Sequence, residues 1–100
     1  MYARTSTWTG TPDALDKWAD HVATTVAPMV AELPGNRNAY FLLDRASGRA
    51  LTLTLWDTEE AALASDATAD QSRDRTAAAT GVTLADRGRY TVVQTPFAPG

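Results

Sequence analysis

The chain has 100 residues, a formal net charge of −3, no cysteine, one histidine (His21) and one lysine (Lys17). Such a chain makes one domain with a modest core; it has no disulfides, thiolate nucleophiles or multi-histidine metal clusters, and lacks the clustered cations that nucleic acid or an anionic membrane requires. No apolar run reaches the roughly 18 residues of a membrane span and no apolar signal core follows Met1–Thr5, so a soluble cytoplasmic protein is expected.

Tyr2–Thr9, rich in threonine and aromatic residues and ending at Gly10, predicts a strand. Thr11-Pro12-Asp13 then supplies a capping hydroxyl, a first-turn proline and an acid at the positive end of a helix dipole. Leu15, Trp18, Ala19, Val22, Val26, Met29, Val30 and Leu33 follow at helical spacing on one stripe. Pro28 interrupts that helix on the opposite side and should kink it. Leu33-Pro34-Gly35 ends it, with Gly35 suited to a left-handed cap.

Two strands come next, Asn38–Asp44 and Arg49–Trp56, joined around Ala46-Ser47-Gly48. A three-residue loop with Gly48 left-handed would place Ala39, Phe41, Leu43, Leu51, Leu53 and Leu55 on one face. Tyr40, Leu42, Thr52, Thr54 and Trp56 would then occupy the other, and neither face carries the Lys and Glu of a solvated surface. Asp57-Thr58-Glu59-Glu60 predicts a second helix running to about Thr80, where Gly81 stops it. Asp66, Asp70 and Asp74, partly offset by Arg73 and Arg75, read as a solvated face of that helix. Leu84–Gln94 predicts the last strand, with Gly88 marking a bulge or a late start. A domain over 1–95 and an irregular tail over 96–100 complete the chain.

Strand, helix, strand, strand, helix, strand is the α+β ferredoxin-like βαββαβ arrangement: a four-stranded antiparallel sheet with two helices on one face. The helices are expected over the leucine face. Arg4, Ser6 and Trp8 of the first strand then join Tyr40, Leu42, Thr52, Thr54 and Trp56 on an uncovered face. A patch so apolar implies a second copy packed sheet to sheet, a homodimer closing a barrel around a cavity.

The candidate chemistry lies on that lining. Arg4 could stabilise an enolate or phenolate by charge-assisted hydrogen bonding, or pair with Asp44 or the other subunit. Tyr40 could donate to a ligand oxygen or simply face Thr54 across the hairpin. Trp8 and Trp56 offer flat contact area plus one donor each, or fill the interface; Leu42, Thr52 and Thr54 complete the lining. Arg89 has the same readings as Arg4, and His21 falls at the edge of the helical stripe. No metal site, catalytic triad, P-loop or dinucleotide glycine pattern is present.

Residues 2 to about 94 resemble the antibiotic biosynthesis monooxygenase-like family of dimeric α+β barrel proteins. The resemblance rests on the element order, on Leu33-Pro34-Gly35 before the second strand, and on Leu53-Thr54-Leu55-Trp56 followed by Thr58-Glu59-Glu60-Ala61. It implies a cavity within the barrel or between helices and sheet. It also implies cofactor-free oxygenation of a small aromatic, polyketide-like or quinol substrate, or a non-catalytic binding dimer. In that scheme Arg4 and Tyr40 are catalytic, Trp8 and Trp56 stack on the rings, and Asp44 or water is the base. The chain departs from the family where Ser65 replaces a frequent histidine nine residues after the tryptophan. Ser6 or Thr7, Ser65 and Arg75 stand where a haem-degrading branch has Asn, Trp and His, so haem is not implied. Asn36 and Asn38 replace a frequent aromatic residue and glycine.

Overall fold

A computed structural model describes residues 1–96; of the expected tail, 97–100 lie outside the described residues. The observed elements are β1 (Tyr2–Thr9), α1 (Pro12–His21), a π-helical turn (Val22–Val26), α2 (Ala27–Ala31), β2 (Asn36–Asp44), β3 (Arg49–Trp56), α3 (Glu59–Ala64), α4 (Asp66–Thr80) and β4 (Thr83–Thr91). The strands form one antiparallel sheet in the order β2-β3-β1-β4, the ferredoxin-like βαββαβ architecture. No helix among the described residues is long and apolar enough to cross a membrane.

Local chemistry sets the helix ends. Thr11 Oγ1 accepts the Ala14 N–H at 3.2 Å and Thr58 Oγ1 accepts the Ala61 N–H at 3.1 Å. Gly81 closes α4 at φ +83°. Gly35 sits at φ +80°, and a Cβ there would stand 2.5 Å from the Ala61 Cβ, so the turn also lets α3 approach closely.

Both helical segments are interrupted, for different reasons. A kink was expected at Pro28; the hydrogen-bond pattern instead changes just before it, where the Ala27 N–H reaches back five residues to the Val22 carbonyl, and Pro28 falls in the first turn of α2, where its missing N–H costs least. The single second helix expected to Thr80 breaks at Ser65. There the Ala62 carbonyl accepts the Ser65 N–H at 3.1 Å, the Ser65 hydroxyl at 2.8 Å and Arg4 Nη1 at 3.1 Å. That carbonyl is diverted from the regular ladder.

The hairpin corrects the expected faces. Asp44 pairs with Arg49, so the loop is Arg45–Gly48, four residues rather than three. Ser47 donates N–H and Oγ–H to the Asp44 side chain and carbonyl, and Gly48 does take φ +75°. One extra loop residue reverses the parity of β2 against β3. Ala39 therefore faces Thr54, Phe41 faces Thr52, and Leu43 faces Ala50; Tyr40 faces Leu53 and Leu42 faces Leu51.

On β1 and β3 the covered side is also the reverse of the expected one, whereas β2 keeps Ala39 and Phe41 under the helices and Tyr40 and Leu42 on the open side, as expected. The helices lie over Arg4, Ser6, Trp8, Ala50, Thr54 and Trp56, all buried. Leu15, Trp18, Val22, Val26 and Val30 pack with Trp8, Ala50 and Val82 to make the core, with Ala39 and Phe41 against it. β1 and β2 run parallel with β3 between them. The hand of a crossover between parallel strands is fixed by backbone twist, not by which face holds more leucine.

The open side carries Leu51, Leu53 and Leu55, with Tyr40, Leu42 and Tyr90 exposed. Gly88 serves Tyr90, whose ring lies so close that a Cβ at 88 would fall 2.5 Å from it. The irregularity in β4 lies at Ala85, between the Thr7–Asp86 and Trp8–Leu84 pairs, rather than at Gly88.

Candidate functional site: a tryptophan-lined cavity between sheet and helices

A narrow cavity of about 60 Å³ lies between the covered sheet face and the helical layer. The sheet contributes Arg4, Ser6, Trp8, Thr52, Thr54 and Trp56. Trp18, the π-turn valines and α2 close it from one side, and Ala69, Ser72, Arg73 and Thr76 of α4 from the other. All three tryptophans of the chain line this space.

Their indole donors differ. Trp56 Nε1 donates to Thr54 Oγ1 at 2.9 Å, and Trp8 Nε1 donates to Thr52 Oγ1 at 3.4 Å. Trp18 Nε1 is buried and has no acceptor, although the residue is only 1% exposed. Arg73 Nε is the second buried donor without an acceptor. Unpaired buried donors are rare in proteins because each forfeits its hydration. Both residues line this one cavity.

Arg4 forms the polar end. Its guanidinium stands over the Trp56 ring at 5.1 Å and donates to the Ala62 carbonyl, the Ser65 hydroxyl and the Asp66 carboxylate. Asp66 also accepts from Arg89, while Asp70 accepts from Arg73 and Arg87. Asp66, Asp70 and Arg73 of the α4 charge run thus form ion pairs with one another and with β1 and β4, while Asp74 and Arg75 are exposed, as a solvated face requires. Burial lowers the Arg4 pKa most; Asp66 opposes that, and Arg73 and Arg89 add to it. Arg4 pairs with Asp66 rather than with Asp44. Among the described residues that line the cavity there is no carboxylate and no histidine. No group of three potential metal-ligating residues occurs among the described residues.

Of the residues singled out from the sequence, Arg4, Trp8, Thr52, Thr54 and Trp56 are brought together here. Tyr40 and Leu42 are not: both stand on the open face, 47% and 49% exposed. Tyr40 OH accepts from Asn38 Nδ2 at 3.0 Å rather than addressing the cavity. Asp44, the one side-chain base considered, ends β2 beside the hairpin loop and is absent from the cavity lining. Arg89 lies on the helix side against Asp66. Asn36 bridges the Leu55 and Asn38 carbonyls, and His21 lies outside the cavity lining.

Trp18 and Arg73 were not legible as site residues. Trp18 reads as an ordinary member of the helical apolar stripe, and Arg73 as one charge in a solvated run. Placing an indole N–H at the inner edge of such a stripe is the one signal that could have singled out Trp18.

Residues 1–73 match the family model described as antibiotic biosynthesis monooxygenase. An uncharacterized protein of Mycobacterium tuberculosis is 36% identical over 77 residues, which cover 77% of this chain and 33% of that protein. The chain thus spans about a third of the length of that curated relative. Three solved structures share the fold. A Deinococcus radiodurans protein assigned to the same family has a TM-score of 0.79 at 16% identity, covering 100% of both chains. A Streptomyces coelicolor monooxygenase in complex with nanaomycin D has a TM-score of 0.71 at 14% identity, covering 99% of this chain and 92% of that one. SnoaB, a cofactor-independent oxygenase from Streptomyces nogalater, has a TM-score of 0.71 at 19% identity, covering 95% of each. By its matching family model and its βαββαβ sheet, the chain belongs to the antibiotic biosynthesis monooxygenase family and has the dimeric α+β barrel fold.

Proposed function

We propose that the chain binds a small, flat, electron-rich aromatic molecule in the tryptophan-lined cavity and oxygenates it with dioxygen, without a cofactor. The carrying observation is the unpaired, buried Trp18 Nε1 on that cavity. A ligand carbonyl or phenol oxygen would supply its missing acceptor. Trp8 and Trp56 would flank the ring, and Arg4 and Arg73 would favour the ligand's anion. With no carboxylate or histidine on the lining, the proton leaves to water and the substrate is one whose anion forms readily once two guanidinium groups stabilise it. The anion passes one electron to dioxygen, the two radicals combine at carbon, and the peroxide anion takes a proton back from water to give the hydroperoxide. For an anthrone, loss of water from the resulting hydroperoxide gives the quinone: one dioxygen consumed and one water formed per substrate.

At about 60 Å³ the cavity is below the ~300–1,000 Å³ typical of small-molecule sites. A ring enters only if the wall moves, and the wall includes the π-helical turn at Val22–Val26. The same small volume favours a second reading, a non-catalytic ligand-binding or interaction dimer. In both readings the open sheet face, with Tyr40, Leu42, Leu51, Leu53, Leu55 and Tyr90, packs on a second copy.

Oxygen uptake with dithranol (an anthrone) separates the two readings. Uptake with matching quinone formation, reduced at least tenfold in Trp18→Phe, supports oxygenation. Quenching of tryptophan fluorescence by the anthrone without uptake supports the binding reading; neither signal overturns both.

A further inference from the structure

A second, wider cleft of about 390 Å³ opens between α4 and β4, lined by Arg4, Asp70, Arg73, Arg87, Gly88 and Arg89. It shares Arg4 and Arg73 with the tryptophan-lined cavity, so the two spaces meet at these guanidinium groups. We infer that this cleft takes an oxyanion group of the ligand, a carboxylate or a phosphate ester, while the ligand's apolar body occupies the cavity. The inference rests on the cavity reading and adds the class of molecule that fits both spaces.

Three observations carry it. Among the described residues, four guanidinium groups, those of Arg4, Arg73, Arg87 and Arg89, form ion pairs with two carboxylates, Asp66 and Asp70, each shared between two arginines. Within these ion pairs the positive charges outnumber the negative by two. Arg73 stands at the junction with its side chain only 12% exposed, and its buried Nε has no acceptor. Finally, Arg87 and Arg89 lie on the helix-facing side of β4, opposite Ser6 and Arg4 of β1. The backbone therefore turns both toward the cleft rather than toward the open face. A planar guanidinium fork matches an oxyanion in geometry as well as charge, and a half-enclosed site weakens screening by salt.

Because every tryptophan of the chain lines the adjoining cavity, intrinsic fluorescence reports occupancy directly. The test titrates the full chain with 2-naphthylacetate, its neutral amide and 2-naphthyl phosphate. Expected is at least tenfold tighter binding of one or both anions than of the amide. That preference should fall at least tenfold in the Arg87→Ala/Arg89→Ala variant and shrink as NaCl rises, with amide binding unchanged. The better anion identifies the oxyanion. Arg87 and Arg89 side chains are 63% and 50% exposed, and an unchanged far-UV circular dichroism spectrum confirms folding of the variant. Equal binding of amide and anions, or an anion preference that survives the double substitution, overturns the cleft assignment and leaves the cavity reading intact. No quenching by any of the three overturns both.

Discussion

The Arg4 guanidinium lies 5.1 Å from the centre of the Trp56 ring and ties β1 to the α3–α4 break through Ala62, Ser65 and Asp66. One side chain from the middle of the sheet thus fixes where the second helical segment bends. The buried fork is held by donors aimed at three different partners, an arrangement a compact ammonium cannot reproduce.

Substituting Arg4 should therefore cost more than a surface ion pair. Removing one partner of a buried pair costs about 3–5 kcal/mol. Asp66 keeps Arg89 as a second partner and is itself partly exposed, so Arg4→Ala is expected to lose about 2–3 kcal/mol. Arg4→Lys should lose nearly as much, because a lysine cannot serve Ser65 and Asp66 together. Urea denaturation measures both; a loss below about 0.5 kcal/mol for Arg4→Ala would contradict the arrangement.

Acid sensitivity should come from the exposed carboxylates. Asp70 has its pKa lowered first by the hydrogen bond from Arg73; Asp16 is lowered by Arg45 and Asp44 by Ser47. A carboxyl group depressed in the folded chain adds stability above its unfolded value of about 3.9. It loses that contribution as pH falls through the lower folded value. Stability should thus be level from pH 7 to about pH 5 and decline below about pH 4. Asp70→Asn should flatten part of that decline, and high salt should reduce it further. Thermal melts across pH 2–7 check this; an unchanged acid limb in Asp70→Asn would remove Asp70 as a contributor.

The element order was legible because each boundary has a local chemical cause. Thr11, Thr58, Gly35 and Gly81 act at the positions their side chains or backbone freedom suit. That β1 and β3 share a face was legible too: Arg4 stands opposite Thr54 and Ser6 opposite Thr52, as alternation groups them. What alternation could not decide was the length of the Asp44–Arg49 turn. Both faces of that hairpin are uncharged, so a three-residue and a four-residue loop give equally plausible linings. The longer loop set Phe41 beside Thr52 and Thr54 under the helices and left Tyr40 and Leu42 on the open face, now beside Leu51 and Leu53. Arg73 was hidden for another reason: its burial depends on β4 arriving beside α4, a long-range contact that no local charge pattern encodes.

Trp18 separates stability from function. Trp18→Phe deletes a buried donor without an acceptor, relieving about 1–3 kcal/mol of lost hydration, while shrinking a ring packed edge-on against Phe41 at 6.4 Å. These effects oppose each other, and net stability should move by less than about 1 kcal/mol. Ligand affinity should nevertheless fall about tenfold, the equivalent of about 1.4 kcal/mol for one hydrogen bond. Paired urea titrations and anthrone-quenching curves provide the check. A loss of stability matching the loss of affinity would mean the indole acts only as filling.

Association through the open sheet face makes the most local demand, because it turns on which of two adjacent side chains is changed. Leu53 sits centrally on that face, paired with Thr5 on one side and Tyr40 on the other, whereas its neighbour Thr52 faces the cavity. Leu53→Glu puts a charge at the centre of a contact that two-fold symmetry duplicates, so two carboxylates are buried at once. At a central position the loss should reach about 2 kcal/mol, roughly thirtyfold in the dimer dissociation constant. The monomer fold should survive, since Leu53 is only half-buried in the single chain. Thr52→Val, on the other side of the same strand, should leave association unchanged. Sedimentation velocity on both variants distinguishes them. A wild-type chain that stays monomeric at tens of micromolar, or a Leu53→Glu variant that dimerises as tightly as wild type, would exclude this face as the contact and leave its exposed leucines and tyrosines without a covering partner.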